Sequence, residues 1–143
     1  MTTADPIDLE RFVLAQDSGG SYLEAVEELR RGRKTGHWIW FVFPQIAGLG
    51  RSPTAQRYAI SSVDEARAYL AHPVLGPRLT ACAGILAGQA GRSAEQIFGG
   101  LDAMKLRSCM TLFAAADPGT GVFRAVLDQY FDGLPDPATQ QRI

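Results

Sequence analysis

Histidine and cysteine are scarce in this chain, with two of each in 143 residues. Cys82 and Cys109 have no CxxC spacing, and His37 and His72 fall in no H-x-x-x-H or H-x-x-E pattern, so neither a metal site nor a metal cofactor is expected. The glycine-rich and nucleophile motifs G-x-G-x-x-G, Walker A, G-x-S-x-G and H-E-x-x-H are also missing, which argues against the commonest nucleotide-dependent and hydrolytic classes. The longest apolar run, Trp38 to Phe43, is far short of the roughly 20 residues of a membrane span. No charge of one sign dominates either. Lys and Arg number 14 against 15 Asp and Glu, a formal charge of −1, so nothing global points to nucleic acid or an anionic membrane as partner. Met1 to Pro6 shows no basic region leading into an apolar run, so no secretory signal is expected. A cytoplasmic location with reduced thiols follows as the expectation.

The composition is otherwise that of a folded protein, with 46% hydrophobic and 20% charged residues. A chain of this length buries roughly two thirds of its unfolded surface without metal or disulfide support, so one domain over residues 1–143 is expected. Its most distinctive stretch runs from Arg30 to Gln45, where the basic cluster Arg30, Arg31, Arg33 and Lys34 leads into Trp38-Ile39-Trp40-Phe41-Val42-Phe43. Both tryptophans are here. Six consecutive large side chains call for burial. Their β-branched and aromatic character favours a strand, but no second strand-like segment exists to pair with it, so helical or irregular backbone ending at Pro44 is expected.

Around this stretch the chain reads as a series of capped helices. Asp5-Pro6 predicts a helix over Pro6 to Gln16 with Leu9, Phe12 and Val13 inward. Ser21-Tyr22-Leu23-Glu24 and Ser62-Val63-Asp64-Glu65 read as capping boxes. Ser52-Pro53 restarts a short helix, and a loop spans Ile46 to Arg51. Pro77 places the start of a central helix near itself, with Leu79, Cys82 and Leu86 buried. The small residues Ala81, Ala83, Gly84, Ala87 and Gly88 would admit a close neighbouring helix. Ser93 caps a short helix, and Asp102 is expected to cap a longer one through Ala116 with Leu106, Cys109, Met110 and Phe113 on its apolar face. A helix over Val122 to Asp132 with Gly133 as its cap, and a short helix after Asp136-Pro137, complete a mainly α fold. The expected architecture is a single-domain, irregular bundle of about seven helices around the buried aromatic segment.

Few residues carry candidate chemistry. His37 is the candidate general acid or base, although a hydrogen-bonded structural histidine has the same sequence signature. Cys109 follows Lys105 by one turn but lies in an apolar face, where a buried structural thiol is expected. The basic cluster before Trp38 suits phosphate or RNA, yet cations at a helix C-terminus normally form a solvated face. Asp102, Lys105 and Ser108 share one helix side bordering apolar positions, and Arg78 sits beside Leu75 and Leu79. Charges so placed need partners or a pocket, so His37, Arg78, Asp102, Lys105 and Ser108 are expected to converge on one concave site.

The strings Leu9-Glu10-Arg11-Phe12, Gly32-Arg33-Lys34, His37 through Gln45, Tyr58-Ala59-Ile60, His72-Pro73 with Leu75 through Leu79, and Lys105-Leu106 with Ser108 through Phe113 resemble a bacterial family known as domain of unknown function 1810. The resemblance covers nearly the whole chain. It implies a mainly helical domain of no established activity, whose members often carry the label calpastatin. Calpastatin-type inhibition belongs to disordered repeats, and this chain is globular and repeat-free. The family pattern adds Gln45, Tyr58 and His72 to the polar residues above, and Gly36 stands where many relatives carry serine.

Two functional classes fit. The first is a small-molecule pocket for a nucleotide-like or phosphorylated anionic ligand, binding or hydrolytic. In it His37 moves protons, Arg78 and Lys105 hold the anion, Trp38 or Trp40 forms a stacking wall, and Gln45, Tyr58, Asp102 and Ser108 line the site. The second is a non-catalytic interaction domain in which the same polar groups form an internal network.

Overall fold

The computed structural model describes residues 7–143. Its helices are α1 (Glu10–Asp17), α2 (Ser21–Arg31), α3 (Ile39–Val42), α4 (Pro53–Arg57), α5 (Val63–Ala71), α6 (Leu75–Ala87), α7 (Ala94–Phe98), α8 (Gly100–Ala116), α9 (Val122–Phe131) and α10 (Pro137–Gln140), with a 3-10 turn (Ser18–Gly20) between α1 and α2. The expected helical bundle is what forms. The count rises above seven because α3, α4, α7 and α10 are one-turn pieces of four or five residues. Among the described residues the sole β-type pairing is the isolated bridge between Ile46 and Ile60. It holds the loop after the aromatic stretch through Ala47 N–H to Ile60 O and Ile60 N–H to Gln45 O, both 2.8 Å.

The local chemistry of several starts is legible, and several are not as expected. Ser52, Ser93 and Asp136 each cap the following helix through a side-chain oxygen, and Ser93 with Gln96 makes a full capping box. At Ser62 only half the box forms, because Glu65 turns to Ser61 and Arg11 instead. The box at Ser21 does not form. Gly19 and Gly20 take left-handed angles (φ 60° and 73°) that deliver Ser21 into the helix itself, and its hydroxyl donates to Ser18 O. The cap at Asp5-Pro6 lies outside the described residues, and α1 begins only at Glu10 because Asp8 (φ 49°) cannot be helical. α6 starts two residues before Pro77, which sits in the first turn where its missing N–H costs nothing. α8 starts at Gly100 after Gly99 (φ 80°), so Asp102 is a first-turn residue whose carboxylate does not cap the helix.

α8 is the hub, packing against α5, α7, α9, α10 and α3, while α6 packs against α9, α5 and α2. Of the small residues expected to admit a close neighbour, Ala83 is buried and Ala87 half-buried, whereas Ala81, Gly84 and Gly88 are exposed. On the same helix Gly76 lies against α5, where a Cβ would stand 2.0 Å from the carbonyl oxygen of Leu70. One hydrophobic cluster runs from Leu9 to Leu127. Its aromatic spine passes from Phe12 to Tyr69 (5.2 Å between ring centroids), Phe113 (5.4 Å) and Phe123 (5.8 Å).

The aromatic stretch is a single helical turn, and this corrects the expectation of six buried side chains. A 3.6-residue period turns successive side chains by about 100°, so a one-turn helix on the surface of a core cannot bury all of them. Trp38, Ile39, Val42 and Phe43 are inside, whereas Trp40 and Phe41 are half-buried. Trp40 is thereby left at the surface of the bundle, against α8.

Candidate functional site

Lys34 and Lys105 share one carboxylate. Asp102, in the first turn of α8, has Lys34 Nζ at 2.7 Å from one oxygen and Lys105 Nζ at 3.0 Å from the other. The ammonium of Lys34 lies 5.1 Å from the ring of Trp38 and that of Lys105 4.2 Å from the ring of Trp40. Two cations, one anion and two indole faces thus join the aromatic turn to α8. Burial alone would raise the Asp102 pKa, but the hydrogen bonds and charges of Lys34 and Lys105 outweigh it and hold the group below its ordinary value.

Beside this junction is a hollow of about 300 Å³. Trp40, Gln45, Leu49 and Gly50 form one wall, Leu101, Met104, Lys105 and Ser108 of α8 the second, and Asp136 and Ala138 the third. Ser108 ties two of these walls together, its Oγ lying 2.9 Å from Asp136 Oδ2. The same Oδ2 accepts the N–H and hydroxyl of Thr139 at 3.1 and 2.5 Å. All three bonds fall on one oxygen. Leu101 and Met104 are 77% and 66% exposed, large apolar groups left in water at the rim.

A smaller hollow of about 120 Å³ adjoins the first, sharing Trp40, Gln45 and Gly50 and adding Tyr58, Ala55 and Gln56. Gln45, common to both, is 9% exposed, and its buried Nε2 has no hydrogen-bond partner. A buried amide without a partner costs about 1–3 kcal/mol, so such a group in a native fold calls for a function or a bound molecule. Gly50 makes the shared wall possible, since a Cβ there would stand 2.4 Å from Ala55 Cβ and 3.5 Å from the Trp40 ring.

Of the residues expected at the site, Trp40, Gln45, Lys105 and Ser108 line the larger hollow, Tyr58 lines the smaller, and Asp102 borders it through Lys105. The expected convergence of His37 and Arg78 with them is corrected. Arg78 pairs with Asp17 at 2.9 Å, donates to Gln16 Oε1 at 3.1 Å and lies 4.7 Å from the Tyr22 ring, because α6 carries it to the α1–α2 side. His37 is exposed and lines a separate hollow of about 190 Å³ with Ser21, Glu24, Trp38 and Phe41. Trp38 is 2% exposed and serves the core. Its indole N–H donates to Glu28 Oε1 at 2.9 Å, which also accepts the amides of Thr35 (2.7 Å) and Gly36 (2.8 Å). His72 accepts the amides of Val74 and Leu75 on Nδ1 and so shapes the turn into α6. Both cysteines are buried, and burial pushes the Cys82 thiol up to about 12 and Cys109 upward as well, away from thiolate chemistry.

Asp136, Leu101, Met104 and the bridging role of Lys34 escaped the sequence reading. Asp136 was visible only as a cap, and Lys34 only as the end of a basic run. Among the described residues no group of three His, Cys, Asp or Glu is placed to hold a metal ion, and no helix is long and apolar enough to cross a membrane.

No curated protein matches the chain. The crystal structure of the conserved hypothetical protein Rv1873 from Mycobacterium tuberculosis is 55% identical over 96% of both chains, with a TM-score of 0.92. The model of the family described as Protein of unknown function (DUF1810) matches residues 6–143. With nearly its full length inside that model, the chain belongs to the DUF1810 family.

Proposed function

We propose that this domain binds a small molecule in the hollow between the aromatic turn, α8 and the approach to α10, and that it binds without hydrolysing. The observation that carries the reading is the unpartnered Gln45 Nε2, buried where the two hollows meet. Once the buried amide turns toward the hollow, a ligand oxygen would supply the missing acceptor, with Lys105 as the neighbouring cation and Trp40 as an apolar surface. The lining offers donors and one seryl hydroxyl already held at Asp136, and the candidate proton carrier His37 lies in another hollow. Arg78, expected to share an anion with Lys105, is engaged by Asp17. A phosphate dianion would therefore meet one lysine already bonded to Asp102, so the nucleotide-like or phosphorylated class has less support than small-ligand binding itself.

A thermal-shift screen of small metabolite-like compounds tests this, since a ligand at a hundred times its dissociation constant adds about 2.7 kcal/mol. Gln45→Leu should melt within a few degrees of the wild type, because the amide nitrogen makes no bond to lose, and should abolish the protection. Protection unchanged in Gln45→Leu would refute the site.

The competing class, a non-catalytic protein-interaction domain, draws support from Leu101 and Met104 exposed at the same rim. Leu101→Ser with Met104→Ser that left every small-ligand shift intact but abolished association with a protein partner would favour it.

A further inference from the structure

The hollow carries one group of each charge, and they stand on different walls. Lys105 presents an ammonium with three N–H donors, of which Asp102 takes one. Gln45, on the facing wall, adds an amide donor that nothing in the fold uses and that a turn of the side chain brings to the hollow. Opposite in sign is Asp136, whose three accepted hydrogen bonds all fall on Oδ2, so Oδ1 stands outside that set. Between these polar groups the lining is apolar, with Leu49, Leu101 and Met104 at the mouth.

We propose that the ligand is a zwitterion with an apolar side chain, a free α-amino acid of the leucine or methionine type, its carboxylate on Lys105 and Gln45 and its ammonium on Asp136. This rests on the small-ligand reading and names the class of ligand. Three features select the class. A planar carboxylate offers two acceptor oxygens to two donors of different kind, one charged and one neutral. A simple anion would leave Asp136 facing like charge, and a simple cation would leave Lys105 and Gln45 unmatched, so only a molecule carrying both signs satisfies the whole lining. The exposed rim of Leu101 and Met104 gives an aliphatic side chain apolar surface to cover. A volume of about 300 Å³ is at the low end of the roughly 300–1,000 Å³ of ligand sites, which suits a body of this size and not a dinucleotide.

The test is calorimetric titration of the full chain with four probes of one shape: L-leucine, L-leucinamide, 4-methylpentanoate and 4-methylpentanamide. L-leucine should bind at least about ten-fold more tightly than any of the others, since each loses one or both charge-assisted contacts. Asp136→Asn keeps a capping oxygen for α10 and should bring L-leucine close to the affinity of 4-methylpentanoate. Lys105→Met should bring it close to that of L-leucinamide or below. Equal affinity for L-leucine and 4-methylpentanoate, or an Asp136→Asn variant that binds L-leucine as the wild type does, overturns the zwitterion. If none of the four binds while another compound gives protection lost in Gln45→Leu, the ligand class is wrong and the hollow stands. If nothing binds and no compound protects, both readings fall.

Discussion

Glu28 is the residue on which the entry to the aromatic turn depends. Its side chain is buried at 2% exposure, and one oxygen, Oε1, accepts three N–H groups from Thr35, Gly36 and Trp38. Burial by itself would raise its pKa, but these bonds stabilise the carboxylate and bring it from 4.5 to about 2. A pKa depressed by folding means that the stabilisation is complete above the unfolded value near 4.5 and is lost as pH falls through about 2. Glu28→Gln keeps an acceptor but not the charge, and should cost about 2–3 kcal/mol at pH 7. In urea titrations the gap between wild type and variant should shrink steadily from pH 5 towards pH 2. A gap that did not depend on pH would mean that the carboxylate contributes shape and not charge. Lys34 and Lys105 show the same dependence on a shared acid, since each leans on Asp102 and on one indole.

Among the elements, the contact of α5 with α6 is set by a missing side chain. The carbonyl oxygen of Leu70 occupies the place where a Gly76 Cβ would be, and both partners of that contact are backbone, which cannot swing aside. Gly76→Ala should cost about 3 kcal/mol and lower the melting temperature by roughly 10 °C. Gly84, on the same helix, has nothing within 4 Å of the place its Cβ would take and lies exposed. Gly84→Ala should raise stability by about 0.5–1 kcal/mol. Thermal melts of the pair decide it, and equal shifts in the two would refute the packing argument. How much of this was legible follows from the reach of each signal. Caps such as Ser52, Ser93 and Asp136 act within four residues and could be read directly. Ser21 and Asp102 satisfy the same rule on paper, but left-handed glycines before them start the helices early. Gly76 looked no different from Gly84, because the angle of the turn between α5 and α6, which brings the Leu70 carbonyl against it, leaves no mark in the hydrophobic period. The site was half legible for the same reason: Lys105 and Ser108 betray themselves as polar groups beside an apolar stripe, whereas the separation of Arg78 from them depends on how α6 crosses the bundle.

For the whole molecule, the last nine residues stand apart from the core that the rest of the chain builds. The fully buried members of the hydrophobic cluster end at Leu127, with Tyr130 and Phe131 of α9 packed against them, while α10 attaches through polar contacts: Ser108 Oγ to Asp136 Oδ2, Asp136 N–H to Thr111 Oγ1, and Arg107 to the carbonyl of Pro135. A chain ending at Leu134 should keep its helical circular-dichroism spectrum. It should lose about 2–3 kcal/mol in urea, through the hydrogen bonds of Ser108 and Thr111 with Asp136 and of Arg107 with Pro135 that it no longer makes, and the buried Thr139 it no longer packs. Loss of the helical spectrum would show that α10 is integral to the core.

The third wall of the hollow, Asp136 and Ala138, comes from these final residues. That wall is joined to α8 by hydrogen bonds and not by the apolar cluster, so a molecule spanning Asp136 and Lys105 would fasten the segment to α8. Its occupancy would register as slower amide exchange in residues 136–140.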